Sequence, residues 1–324
     1  MTLNFLTQRF RRRALTKPNL IYFLWRFVGN GTRTFRALTA PRTYSDTREI
    51  ARELAQEGIV VRPSDSFLTD GGRRALKKAA HAVIGSSRSE AVQAIVSGAV
   101  SASGPKDYVA HLVSYPDGVI PDGPLLRVAL DMKLLETVSL YLGLWPCLHS
   151  IDAWLNFPTD MPPAVSQLWH RDPEDLRIIK VFIYLSEVHD RSGPFMYVPR
   201  THPFGTQAGK ALQYERKKRV SDEAMRLVFP ETSWRTCTGK PFTMILADTL
   251  GYHCGGKPTV GTRTLITFTY TSGTPITDRP FRVEAKPAWV SKGLQEFALR
   301  PLLDAQPRPK DQPKKKEKGK AKTS

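Results

Sequence analysis

Trp169-His170-Arg171-Asp172, followed by Ile178-Ile179-Lys180-Val181-Phe182-Ile183-Tyr184-Leu185, reads as a loop that hands two polar side chains to a strand rich in β-branched and aromatic residues. On extended backbone, residues i and i+2 point the same way, so His170 and Asp172 can reach one metal ion. Working outward, Phe242 to Ala247 is a second apolar run, and Asp248-Thr249-Leu250-Gly251 after it is a turn that leads to Tyr252-His253. Arg263 then opens a further strand pattern, Thr264 to Thr271. Each of these polar residues stands at a strand edge or turn, where a jelly-roll barrel opens its mouth. The expected fold is α+β with a mainly β core of jelly-roll type.

Two imidazoles and one carboxylate on one face of an octahedral metal form the ligand set of non-haem Fe(II) oxygenases, which leaves positions for a co-substrate and O2. A guanidinium near such a metal can grip a dicarboxylate such as 2-oxoglutarate, because its planar fork matches a carboxylate. In a chain with seven histidines a His-x-Asp tripeptide is weak by itself. The distant His253, and Arg263 ten residues after it, are what raise it. A carboxylate at Asp172, where Gly or Ala would suit a halide, favours hydroxylation or a related oxidation. Asn156, on the extended segment Trp154 to Phe157, is a candidate hydrogen-bond partner for the co-substrate. Lys180 and Tyr184 share one face of their strand and are candidates for the pocket lining, the bland reading being side chains that reach solvent.

Residues from about 148 to 272 resemble the phytanoyl-CoA dioxygenase family of Fe(II)/2-oxoglutarate enzymes. Leu168 to Asp172, Lys180 to Leu185, Ser192 to His202, Ala247-Asp248-Thr249 and His253 through Arg263 carry the likeness. The resemblance implies that the jelly roll is a double-stranded β-helix buttressed by helices. It also implies iron at His170, Asp172 and His253, with Arg263 on the far carboxylate of 2-oxoglutarate. No catalytic residue beyond that metal site is implied. In the family the third piece ends Pro-Gly-Ser-His; here Arg200 stands for the glycine and Thr201 for the serine. The family spans acyl thioesters, osmolytes and natural-product intermediates, so the implied substrate is a small or lipid-like molecule, with O2 as co-reactant.

The other histidines, His81, His111, His149, His189 and His202, lack paired spacing and read as structural. Cys147, Cys237 and Cys254 are odd in number and unpatterned, which points to a reducing, cytoplasmic setting without structural disulfides. Leu20 to Val28 comes nearest to a membrane span, but Arg26 interrupts it and it is far too short. The net charge of +18 resembles a nucleic-acid signature until it is located: residues 1 to 45 hold nine Lys and Arg with no acid, and residues 308 to 324 hold eight against two. The body between is near neutral, which counts against a basic groove and with it specific nucleic-acid binding.

Three regions follow: a basic arm over residues 1–45, one oxygenase domain over 46–305, and a Lys-rich tail over 306–324 expected to be disordered and to touch anionic surfaces weakly. Leu3 to Arg13 has the pattern of a short basic amphipathic helix, and a helical arm packed outside the barrel is the plainest reading. Helices are expected over Thr47 to Glu57, capped by Ser45 or Asp46 and stopped by Gly58, over Arg74 to Val83, and over Leu125 to Leu142. An insert from Gln207 to Glu231 between barrel strands holds two helix-like stretches and the cluster Arg216-Lys217-Lys218-Arg219; inserts of this kind often form part of a lid. Two other readings differ in class. One is a metal-holding jelly roll without oxygenase activity, an isomerase or binding module; the other is a nucleic-acid-associated oxygenase recruited by its basic ends.

Overall fold

The computed structural model describes residues 18–99, 107–113, 115, 118–209 and 219–304. The segment Leu3 to Arg13, the stretch Lys210 to Lys218 and the tail lie outside the described residues. In chain order the elements are α1 (Pro18–Phe23), running on into a π-helical turn (Leu24–Gly29), α2 (Gly31–Thr39), α3 (Thr47–Glu57), β1 (Ile59–Pro63), α4 (Asp70–Ser87), α5 (Glu90–Val96) and β2 (Val109–His111). Then follow α6 (Pro124–Ala129), α7 (Met132–Leu142), β3 (Cys147–Asn156), β4 (Ile179–Tyr184), β5 (Phe195–Tyr197), α8 (Asp222–Arg226), β6 (Arg235–Cys237), β7 (Thr243–Ala247), β8 (His253–Gly255), β9 (Arg263–Thr271) and α9 (Leu294–Leu303).

The strands form two antiparallel sheets, a six-stranded one in the order β1-β7-β4-β9-β3-β2 and a three-stranded one in the order β6-β5-β8. Alternation along each strand explains how they pack. Ile179, Val181 and Ile183 of β4, Met244 and Leu246 of β7, and Ile266, Phe268 and Tyr270 of β9 all enter the core shared with the helices. Their odd-phase neighbours Tyr184, Ile245, Ala247 and Leu265 face the other way and meet Phe195, Tyr197 and Cys237 of the small sheet. A fully buried strand needs no polar face, which is why β9 is buried along all its length. Lys180 shares the inner phase with Tyr184, and Arg263 shares it with Leu265, so period two delivers both to the space between the sheets.

Helix α3 runs over the expected residues, and its Ile50, Ala51 and Leu54 are buried. The expected cap differs: Asp46 makes no capping bond, because its carboxylate is drawn to Lys133 Nζ at 2.7 Å. Gly58 ends the helix at φ 80°, and a side chain there would meet the Tyr197 hydroxyl and the His202 ring. The helix expected over Leu125 to Leu142 is two helices. Asp131 breaks it, its carboxylate capping α7 through Lys133 N and Leu134 N while it also accepts from Thr69. The apolar spacing continues across the break, so hydrophobic pattern alone hides it. The first described helix is tied to the loop before β4: Tyr22 donates to Leu176 O at 2.9 Å and Trp25 Nε1 to Asp175 Oδ1 at 3.2 Å.

The altered turn keeps its shape by other means. Arg200, where the resembling family has glycine, adopts φ 66°. Its guanidinium clasps the Glu57 carboxylate at 2.8 Å and its N–H donates to Glu57 O at 2.9 Å, which ties the turn to the end of α3. The ion pair offsets the left-handed backbone. Arg200→Gly, which loses the pair but relieves the strain, is therefore expected to leave the melting temperature nearly unchanged, whereas Arg200→Val, β-branched at positive φ, lowers it by several degrees. Equal destabilisation by both would show that the ion pair alone matters.

Candidate metal centre

The loop before β4 and the start of β8 run side by side: His170 N donates to His253 O at 2.9 Å, and His253 N donates back to His170 O at 3.1 Å. This two-way bond brings the imidazoles to a ring separation of 4.3 Å. Asp172 N is fixed on Thr249 O at 2.9 Å, in the turn just before β8. That turn is built as the sequence predicts, with Gly251 N on Asp248 O and Leu250 N on the Asp248 carboxylate.

The side chains are oriented by what each holds with its other atom. His170 Nδ1 faces Leu168 O at 2.8 Å and His253 Nδ1 faces Gly251 O at 3.0 Å. A carbonyl can only accept, so each Nδ1 carries the proton and each Nε2 keeps its lone pair. Both Nε2 atoms converge on Asp172, His170 at 3.6 Å from Oδ1 and His253 at 3.4 Å from Oδ2. One donor atom from each of the three residues lies within 4.8 Å of the other two, and all three residues are buried. Two neutral imidazoles and a carboxylate at this spacing are a donor set that fits a divalent transition metal.

Burial, with the His253 ring beside it, pushes the His170 imidazole down to about 3. Burial acts in the opposite sense on Asp172, yet Lys180 and the two imidazoles hold its carboxyl well below the ordinary range. His170 and Asp172 are thus in their ligating ionisation states at neutral pH. A folded-state pKa below the unfolded one for His170 means that the unfolded chain binds its proton first, so stability falls as pH drops from about 6.5 towards about 3. The metal-free protein is expected to lose about 2 kcal/mol between pH 7 and pH 5 through this residue. Urea titrations at the two pH values measure it, and His170→Asn should flatten the difference; an unchanged difference would assign it elsewhere.

Lys180 turns inward, its side chain only 16% exposed. Its ammonium sits 2.8 Å from Asp172 Oδ2 and 2.9 Å from Glu174 Oε1. Burial would lower its pKa, but the two carboxylates reverse this and raise it, so it stays charged. Sequence reasoning left Lys180 between pocket lining and solvent and missed its partner Glu174. The available signal was the acid two residues after Asp172, which extended backbone turns to the same side. Lys180→Met would leave the buried Asp172 and the partly buried Glu174 carboxylates without their shared cation and is expected to cost about 3 kcal/mol of metal-free stability. Loading the protein with a divalent metal, which restores positive charge beside Asp172, should recover part of that loss; a variant insensitive to metal would separate Lys180 from the site.

Arg263 begins β9 opposite Asn156 of β3 in the register. Its guanidinium is buried, and Nε and Nη1 find no hydrogen-bond acceptor among the described residues. Desolvation lowers its pKa, with Tyr184, Cys254 and Tyr108 the polar groups nearest in influence. Gly255 leaves room for it, since a side chain there would come within 3.2 Å of Nη2. Asn156 reaches back to Arg263 O at 3.5 Å, which sets it beside the arginine's backbone. Tyr184 is engaged within the protein, donating to Cys237 O at 2.8 Å and accepting from Phe195 N at 3.1 Å.

Two supports went unread in the sequence. The Thr201 hydroxyl donates to Val198 O at 2.7 Å and accepts from Tyr252 N at 2.9 Å, which pins the residue before His253. Trp169, buried beside His170, donates to Asp222 Oδ1 at 2.7 Å and packs on Trp234, so residues of the segment between β5 and β6 hold the first ligand loop from behind. His202 lies apart from the three-residue cluster, its Nε2 at 3.1 Å from Ala55 O. Cys147, Cys237 and Cys254 are free and buried.

No known family profile matches the chain, and no curated protein does. Solved structures do match. EctD from S. alaskensis, in its apoform, is 20% identical, with 80% of this chain and 89% of that one covered and a TM-score of 0.47. HygX from Streptomyces hygroscopicus, with nickel, 2-oxoglutarate and hygromycin B bound, is 16% identical over 74% and 92% of the two chains, TM-score 0.45. The non-haem α-ketoglutarate-dependent epimerase SnoN from nogalamycin biosynthesis is 12% identical over 72% and 85%, TM-score 0.46. At such identities and scores none of these decides the chemistry here, which rests on the donor atoms of this chain.

Proposed function

We propose that this chain is an Fe(II)- and 2-oxoglutarate-dependent dioxygenase of phytanoyl-CoA dioxygenase-like, jelly-roll type that hydroxylates a small or lipid-like organic molecule. His170, Asp172 and His253 would hold the iron, and Arg263, with Asn156 beside it, would bind the co-substrate. The observation that carries this reading is the pairing of the buried His-Asp-His cluster with a buried guanidinium whose Nε and Nη1 have no acceptor in the described protein. A buried unpaired cation is costly, and a carboxylate is the group whose geometry answers it. Charge supports the same conclusion. Lys180 and Arg263 balance Asp172 and Glu174, so a divalent metal and a dicarboxylate dianion enter together without leaving net charge in the site. An isomerase or sugar-binding jelly roll has no need of that arginine.

Bound iron with 2-oxoglutarate supplies the oxidising chemistry: one O2 is consumed, 2-oxoglutarate becomes succinate and CO2, and the second oxygen atom ends in a C–H bond of the substrate as hydroxyl. The chain's own part is positional. The two Nδ1–H donors hold the imidazoles with Nε2 forward, and Lys180 fixes the Asp172 carboxylate from one side. Arg263 orients the dicarboxylate by its far end, and the apolar walls around Tyr184, Leu265 and Phe195 exclude water. The three free thiols suit a reducing, cytoplasmic setting.

The test is uncoupled turnover. Iron-loaded protein given 2-oxoglutarate and air should release succinate slowly without substrate, and a metabolite screen for faster release should then find the substrate class. Absence of succinate from fully iron-loaded protein would remove the oxygenase reading.

A further inference from the structure

Eleven large apolar side chains stand exposed on the described surface, and seven of them fall between Leu20 and Leu38. Leu20 is 68% exposed, Val28 73% and Phe35 67%, with Phe23, Phe27 and Leu38 beside them. Single exposed apolar residues need no explanation, but a concentration of this kind marks an interaction surface.

The segment is held rigidly from behind. Tyr22 and Trp25 anchor α1 and its π-turn on Leu176 and Asp175, and Asn30 bridges Trp25 O and Gly273 N. Thr34 of α2 is buried, with its hydroxyl on Arg26 O. These anchors fix which face looks outward, and on that face the Phe23 and Phe27 rings pack together at 5.0 Å.

The rim is cationic. An open crevice of about 580 Å³ is lined by Arg42, Arg48 and Arg52 with Ala51 and Leu140. No ion pair among the described residues engages those three arginines, while the acids nearest in sequence are spoken for, Asp46 by Lys133 and both Glu49 and Glu53 by Arg62. Leu140 lies in the last turn of α7, and the Arg26 guanidinium packs against Gly143 at the end of the same helix. Apolar face and arginine crevice therefore border one turn of α7.

Charge decides what could cover this surface. A second copy would bring the same arginines against themselves, and residues 1–17 carry five Lys and Arg with no acid. Both are of the wrong sign. The apolar residues stand exposed along short helices and none of them lines the arginine crevice, the form of an element that enters a lipid interface.

We infer that α1, its π-turn and α2 dock this protein on an anionic lipid surface, the phenylalanines entering the headgroup–acyl boundary and Arg42, Arg48 and Arg52 meeting phosphate or carboxylate headgroups. This stands apart from the metal centre and holds whatever reaction occurs there. The experiment is co-sedimentation of the full chain with vesicles of phosphatidylcholine, alone or with about 30 mol% phosphatidylserine.

Binding is expected to the anionic vesicles and to weaken as salt rises. Phe23→Ser/Phe27→Ser/Phe35→Ser, which keeps every charge, should weaken it about tenfold or more, and Arg42→Gln/Arg48→Gln/Arg52→Gln should do the same. All six side chains are exposed, so both variants should melt like the parent. Three results would overturn the inference. One is no binding to anionic vesicles, and another is binding unchanged by the serine variant, which would leave the basic ends as the cause. The third is a lipid-free dimer that the serine variant turns into a monomer.

Discussion

Arg263→Met is expected to yield a protein that folds more stably than the parent and no longer responds to 2-oxoglutarate. Without co-substrate the parent bears the desolvation of a buried guanidinium whose Nε and Nη1 have no acceptor among the described residues. An unbranched apolar side chain of similar length removes that cost, and replacing buried charge in this way stabilises by about 1–4 kcal/mol in comparable cases. The same change deletes the fork that would hold the far carboxylate, so the apparent affinity for 2-oxoglutarate should fall by about a hundredfold or more. Metal affinity should hardly move, because Arg263 is not among the three converging donors. Thermal melting, metal titration and 2-oxoglutarate titration on one variant read all three quantities. Loss of stability together with metal binding would make Arg263 a structural residue.

The second large effect is expected at the metal ligands. Asp172→Ala removes the one anionic donor of the cluster and leaves the Lys180 ammonium, now paired only with Glu174, close to where a cation must sit. Metal affinity should fall by about a thousandfold, and turnover of 2-oxoglutarate should vanish. His170→Ala should abolish turnover too, with a smaller loss of metal, because Asp172 and His253 still converge. Asp248→Ala is the useful contrast. Asp248 accepts from Tyr141 and Leu250 N in the turn before His253 without joining the cluster, so its loss should show chiefly in stability. Metal binding that survives in Asp172→Ala at parental strength would place the metal elsewhere.

How far the sequence could be read depends on which physical signal each feature leaves. His170, Asp172, His253 and Arg263 were legible because strand patterns bracket each of them, and the structure brings the first three together while setting Arg263 at the head of β9. The strands β4 and β9 were legible as β-branched and aromatic runs and β7 as an apolar run, all three being largely buried. The split at Asp131 was hidden, because Leu126, Leu130 and Leu134 keep helical spacing through the break and only a side-chain cap creates it. Lys180 was ambiguous for another reason. Period two assigns it a face but cannot say whether that face meets water or Asp172, a choice made by the pairing of β4 with β7 and β9. Arg200 and Thr201 were visible as departures from a familiar turn. Their compensations, Glu57 and the Tyr252 N–H, lie 143 and 51 residues away and could emerge only from the fold.

The account rests on a co-substrate site completed by metal and arginine together, and anaerobic 2-oxoglutarate binding tests it most directly. Calorimetric titration of the full chain should show saturable 2-oxoglutarate binding with Fe(II) present, much weaker binding without it, and none in Arg263→Met with Fe(II). Iron-loaded parent protein that takes up no 2-oxoglutarate, or binds it equally well with and without the metal, would contradict the account.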